Sequence, residues 1–128
     1  MPGLRMELDE RWSEADVGVA EGLTFAQLNA VDPDLARRLA DGEVQIDWPA
    51  GETASALAGR VEAALRDLDD GPAPAIVVSH AGPLRIAIAL ASAVPVEQVA
   101  FLEPGAFLVC PSDVGAGIGR GRMLRFRS

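Results

Sequence analysis

The chain has 128 residues, of which 49% are hydrophobic and 23% charged. That length fits one domain, residues 1–128, and the apolar fraction excludes a disordered tail. Acidic residues number 19 and basic ones 11, for a formal net charge of −8. A duplex-binding protein needs a positive surface, so nucleic acid is excluded as a partner. The one cysteine, Cys110, rules out a disulfide framework and a thiolate metal cluster, and it suits a reducing compartment. Met1–Glu10 carries acids and no apolar run, so it does not read as a signal peptide. The longest apolar stretch, Ile86–Val94, is far short of the roughly 20 residues of a membrane span. The expectation is a cytoplasmic protein with no membrane partner.

Along the chain, Leu4, Met6 and Leu8 alternate with Arg5, Glu7 and Asp9, a weak strand signal. Gly18 and Gly22 mark a turn-rich stretch. Thr24 opens a short helix, with Gln27 three residues on as in a capping box. Asp32-Pro33 starts the next helix, a cap followed by proline at the first helical position, and Gly42 ends it. Trp48-Pro49-Ala50-Gly51 is a loop. Glu52–Leu68 is the clearest helix: Leu57, Val61, Leu65 and Leu68 share one face, and Glu62 and Arg66 form a supporting pair on another. Asp69-Asp70-Gly71-Pro72 breaks it. The acid run Asp67, Asp69 and Asp70 reads as a solvated helix end and not as a metal site. Trp12 and Trp48 read as core or lid packing.

Ala75-Ile76-Val77-Val78 is a wholly apolar run, which predicts a buried strand of a parallel or mixed sheet. His80-Ala81-Gly82-Pro83 is a tight turn into a helix from Pro83 to about Ala93, and Pro95–Ala100 gives a further helical turn. Phe107–Val109 and Met123–Phe126 read as strands joined by the flexible, Gly-rich segment Gly115–Gly121. This order of elements implies α/β layering.

His80 is the only histidine. It stands at the carboxyl end of the predicted strand and just before a helix, where ligands bind in open α/β sheets. Ala81 and Gly82 are small enough for backbone to approach a ligand closely, and their N–H groups open the helix and could hold an oxyanion.

The segment Val77-Val78-Ser79-His80-Ala81-Gly82-Pro83-Leu84-Arg85 resembles the second histidine motif of the histidine phosphatase (phosphoglycerate mutase-like) superfamily. Trp12 to Thr24, with Glu14, Gly18 and Glu21-Gly22-Leu23-Thr24, resembles the family's Leu-x-Glu-x-x-x-Gly-x-x-Glu-Gly-Leu-Thr pattern, with Trp12 where Leu is usual. Pro49-Ala50-Gly51-Glu52-Thr53 resembles the turn before the family's long helix, Arg60 suits the arginine inside that helix, and Pro104-Gly105-Ala106-Phe107 fits the closing segment. The resemblance implies a three-layer α/β sandwich with a mixed, mostly parallel sheet, lacking the amino-terminal strands. It implies that His80 is the second histidine and that Glu14 donates the proton to the leaving oxygen; the helix start then makes the Ala81 and Gly82 N–H groups the expected phosphate contacts. Positive charge and N–H donors around a transferred phosphoryl are what such chemistry requires. Glu21 reads as a backbone-turn partner, and Arg85 as a salt bridge pinning helix to loop.

The family's Arg-His-Gly motif, which supplies the nucleophilic histidine, has no counterpart among these residues. The expected function is phosphomonoester hydrolysis or phosphoryl transfer with that histidine supplied by another chain or by an amino-terminal segment. The alternative is a catalytically inactive module that binds a phosphate-containing small molecule or a protein. No cofactor and no metal are implied. Without neighbours, the Ala75–Val78 strand would have unpaired N–H and C=O groups. The expectation is therefore a homo-oligomer or a partner chain completing the sheet, with a rearranged strand such as Met6–Leu8 as a further way of filling the gap.

Overall fold

A computed structural model describes residue 3, residues 5–71 and 75–99, and the backbone of 106–109 and 122–125. Cys110, the Gly115–Gly121 segment, Phe126 and the Pro104-Gly105 part of the closing motif lie outside the described residues. The elements in order are short 3-10 turns at Glu10–Trp12 and Gly18–Ala20, helices α1 (Phe25–Val31), α2 (Pro33–Ala40), α3 (Ala54–Asp70) and α4 (Ala81–Ser92), a 3-10 turn at Val96–Gln98, and strands β1 (Ala106–Val109) and β2 (Arg122–Arg125).

The helix boundaries follow local chemistry. Thr24 accepts from the Gln27 N–H while the Gln27 side chain accepts from the Thr24 N–H, a complete capping box at the start of α1. The Asp32 carboxylate caps α2 through the Leu35 N–H at 3.0 Å, with Pro33 in the first turn. Helix α3 begins two residues later than the sequence pattern suggests, because Thr53 is its cap and accepts from the Ala56 N–H at 3.1 Å. Helix α4 begins two residues earlier than expected, at Ala81. Pro83 then sits inside the first turn, where its missing N–H would have had no intrahelical partner anyway.

Two apolar clusters hold the helices. One joins Leu28, Leu35, Ala36 and Ile46, with Leu39 and Trp48 against them. The other joins Trp12, Val61, Ala64 and Ala87, with Leu57, Leu65, Leu68, Val77 and Ile86 packed on it. The second cluster is the predicted stripe of α3 closing on α4 and on the turn that carries Trp12. Val61 is completely buried, and each such side chain contributes roughly 1.5–3 kcal/mol of hydrophobic stabilisation. Both tryptophans pack into these clusters.

The expected three-layer sandwich with a mixed, mostly parallel sheet is not found. The described residues are predominantly helical, and their only sheet is the two-stranded antiparallel ladder of β1 and β2, in which Ala106 faces Arg125 and Val109 faces Arg122. Residues 75–80 form no ladder. A strand exists by exchanging N–H and C=O bonds with another, and among the described residues no backbone group pairs with Ala75–Ser79. Val77 packs on the core while Ile76 and Val78 are 71% and 90% exposed. The segment therefore keeps the alternation of a strand without the sheet. Residues 5–9 form no ladder either, and Met6 and Leu8 are exposed, so Met6–Leu8 does not fill the gap. Among the described residues, no helix is long and apolar enough to cross a membrane.

Candidate functional site

The turn after Glu10–Trp12 brings Glu14 onto the start of α4. One oxygen of its carboxylate, Oε2, accepts from the Gly82 N–H at 3.4 Å, and the other, Oε1, accepts from the Ala15 N–H at 3.0 Å. A Cβ at residue 82 would overlap Glu14 Oε1 and lie 3.2 Å from its Cδ, so the carboxyl would have to swing aside. The first-turn N–H groups of a helix have no intrahelical acceptors and carry its positive dipole end, so a carboxylate is stabilised at this point. His80 is the N-cap residue of α4, and its side chain makes no capping bond. Two residues separated by most of the chain, Glu14 and Gly82, thus meet at the start of one helix, next to His80.

Five hydrogen bonds, from Ser79, Arg60 and Glu52, hold the Glu14 turn. The Ser79 hydroxyl donates to the Trp12 carbonyl. The Arg60 guanidinium donates through Nη1 to the Arg11 carbonyl at 2.6 Å and through Nη2 to the Glu14 carbonyl at 3.2 Å. The same guanidinium grips Glu52 with two bonds, Nε to Oε1 at 2.7 Å and Nη2 to Oε2 at 3.0 Å. Glu52 in turn takes the Asp16 N–H on Oε2 at 3.4 Å and returns its own backbone N–H to the Asp16 carbonyl at 2.8 Å. The Arg60 hydrogen bonds hold the Glu52 carboxyl below the usual glutamate range, against the opposing effect of burial. Further out, Asp9 is lowered in the same way by Arg11, which also binds Asp67 at 2.7 Å.

An open groove of about 480 Å³ runs over this loop, lined by Glu10, Ser13, Glu14, Asp16, Glu52 and Arg60 among others. Its lining is rich in carboxylates, and its one guanidinium is already engaged. His80 is exposed and does not line the groove, and Ala81 is half-buried. Among the described residues, no group of carboxylate, His or Cys side chains is arranged to hold a metal ion.

The other singled-out residues have structural surroundings. The Glu21 N–H donates to the Gly18 carbonyl at 3.0 Å, a turn contact. Arg85 donates from Nη2 to the Val99 carbonyl at 2.7 Å, so it pins α4 to the following turn through a carbonyl and not through the expected salt bridge. Arg37 and Arg38 pair with Asp34 and Glu43. Sequence reasoning missed the Glu52–Arg60 grip and the Ser79 anchor. Glu52 lies before the helix that carries Arg60, so no helical spacing announces the pair, and a serine beside the histidine carries no signal of its acceptor.

In comparison with known protein families, the model of the histidine phosphatase superfamily, branch 1, matches residues 1–107. No curated protein matches the chain.

Proposed function

Since the chain belongs to the histidine phosphatase superfamily, branch 1, we propose that it acts on phosphate monoesters at the start of α4. In this reading the imidazole of His80 and the N–H groups of Ala81 and Gly82 contact the phosphoryl oxygens. A histidine from a second polypeptide or from an amino-terminal segment attacks phosphorus, the ester P–O bond breaks, and Glu14 gives its proton to the departing oxygen. The observation that supports the reading most is the Glu14 carboxylate on the Gly82 N–H, one residue from the His80–Ala81 junction. A carboxylate there marks the position as one that accommodates oxyanions. We assign the exposed edge of Ala75–Ser79 as the place where a second polypeptide pairs, with another copy of the chain as the occupant.

One observation favours a reading without turnover. His80 is the only histidine of the 128 residues, and the guanidinium in the groove is spent on Glu52 and two carbonyls. On that reading the chain binds a phosphate-containing molecule or a protein and catalyses nothing.

The catalytic reading and the phosphate-binding form of the second both place phosphate at α4, and one titration tests that placement. Inorganic phosphate is added to the isotopically labelled chain up to about 50 mM, well above a millimolar Kd, while the Ala81 and Gly82 amide resonances are followed. Saturable displacement of both, abolished by His80→Ala, is expected. No displacement, or one unaffected by His80→Ala, overturns the placement. Hydrolysis of an aryl phosphate under the same conditions separates turnover from binding alone.

A further inference from the structure

We propose that the Glu52–Arg60 pair is a positioning device that sets the Glu14 carboxyl against the first turn of α4, and that Arg60, although the only guanidinium lining the groove, is not a ligand for phosphate. The inference rests on the reading of Glu14 as the acid of the site.

The geometry carries it in three steps. First, the pair is rigid: two parallel N–H···O bonds join a guanidinium and a carboxylate whose side chains are only 21% and 15% exposed. Bidentate pairs of this kind fix orientation as well as distance. Second, the pair is tied to the Glu14 turn at three backbone points, the carbonyls of Arg11 and Glu14 and the N–H of Asp16. These points bracket Glu14 on both sides, so the direction of its side chain is set by groups that never touch α4. Third, the contact they set has little slack. The Glu14–Gly82 bond is 3.4 Å long, already at the outer edge of hydrogen-bonding distance. A shift of about 0.5 Å, the tolerance of a preorganised site, takes that bond beyond hydrogen-bonding distance.

The same geometry removes Arg60 from the list of anion ligands. A guanidinium has five N–H donors, and four of those on Arg60 serve protein acceptors, which leaves one N–H on Nη1 and no pair for the two-pronged grip by which arginine holds phosphate. Turning it toward an incoming phosphate would release Glu52 as an uncompensated, largely buried carboxylate, at a large cost.

The test reads the Glu14–Gly82 contact directly and with no phosphate present, so its failure and a failure of the phosphate reading are distinguishable. In the labelled full chain at neutral pH, Glu14→Gln displaces the Gly82 amide resonance. The displacement is measured again in Glu52→Gln, Glu52→Asp and Arg60→Lys backgrounds. Each keeps polarity and approximate size but cannot form the double bond with its partner in the same place. We expect the displacement to fall by about threefold or more in all three backgrounds while dispersed spectra report an intact fold, because a loosened turn no longer holds the carboxyl within reach. A displacement that persists in folded variants overturns the proposal. So does phosphate affinity that drops in Arg60→Lys but rises in Glu52→Gln, the pattern of a direct ligand and its competing carboxylate. A background that does not fold is replaced by the other two, and unfolding of all three makes the pair a stability element and overturns the positioning role.

Discussion

Replacing Gly18 by alanine tests whether the loop that carries Glu14 is held by close backbone approach. Gly18 has a φ of +52°, in the left-handed region, and so has Gly22, with a φ of +73°. For an L-residue that conformation costs about 1–2 kcal/mol at either position. The surroundings differ. A Cβ on Gly22 meets nothing within 4 Å, whereas a Cβ on Gly18 would overlap the Pro49 carbonyl and come within 2.5 Å of the Gly51 nitrogen. Both obstacles are backbone, so the two loops must separate. Separation sacrifices the Val19 N–H bond to the Pro49 carbonyl at 3.0 Å and the Glu52 N–H bond to the Asp16 carbonyl at 2.8 Å, each with a net worth of about 0.5–1.5 kcal/mol. Gly18→Ala should therefore cost about 2–5 kcal/mol and Gly22→Ala only about 1–2 kcal/mol. Urea unfolding of the two variants beside the parent chain measures both, with an unchanged m-value confirming that the native state is compared like for like. If Gly18→Ala costs no more than Gly22→Ala, the two loops are not locked together and the account of how Glu14 is held fails.

Acid should act on the same region. The folded-state pKa of Glu52 is lowered by Arg60, so its contribution is fully present above the unfolded value, near pH 4.3, and is lost as pH falls through the folded value. Glu52→Gln should be less stable than the parent at pH 7 and should converge on it below about pH 4. A constant gap between their unfolding midpoints across that range contradicts the linkage. At the exposed edge, Ile76→Thr with Val78→Thr keeps β-branched residues while removing apolar surface that is 71% and 90% exposed. The double variant should unfold within about 0.5 kcal/mol of the parent, and the concentration dependence of sedimentation expected of the parent should vanish in it. A parent chain that sediments as a monomer at all concentrations refutes pairing between copies.

What could be read in the sequence is what short-range chemistry decides. Thr24 with Gln27, and Asp32 with Pro33, each specify a helix start within four residues, and both starts are where the pattern puts them. The Leu57-Val61-Leu65-Leu68 stripe is the face of α3 that packs on Trp12 and Ala87. The sheet is a different kind of object. Ala75–Val78 has the composition of a buried central strand, but composition cannot supply the neighbouring backbone; among the described residues nothing pairs with the segment, and Ile76 and Val78 stay in solvent. The site divides along the same line. His80, Glu14 and Gly82 were legible as motif residues, and the Glu14–Gly82 contact joins two of them. The Arg60–Glu52 grip depends on how the loop at residues 49–52 folds back on the loop at residues 16–18, a long-range event that no local spacing reports.

The charge of the groove sets how strongly this chain, by itself, can hold an oxyanion. Glu10, Glu14, Asp16 and Glu52 face one guanidinium, and that guanidinium is neutralised by Glu52 at 2.7 Å. Two unit charges 4 Å apart interact by about 4 kcal/mol at an effective dielectric of 20 but only about 1 kcal/mol in water; Glu14 is exposed, so its repulsion lies toward the lower figure, comparable with the roughly 0.3–1 kcal/mol that a helix start offers an anion. The two nearly cancel, so Glu14 must give up its place on the Gly82 N–H before a phosphoryl oxygen can take that donor. What the groove requires is therefore that the Glu14 carboxyl can leave the Gly82 N–H and return to it, and on our reading the Glu52–Arg60 pair, which holds the backbone of that turn, sets how far it moves.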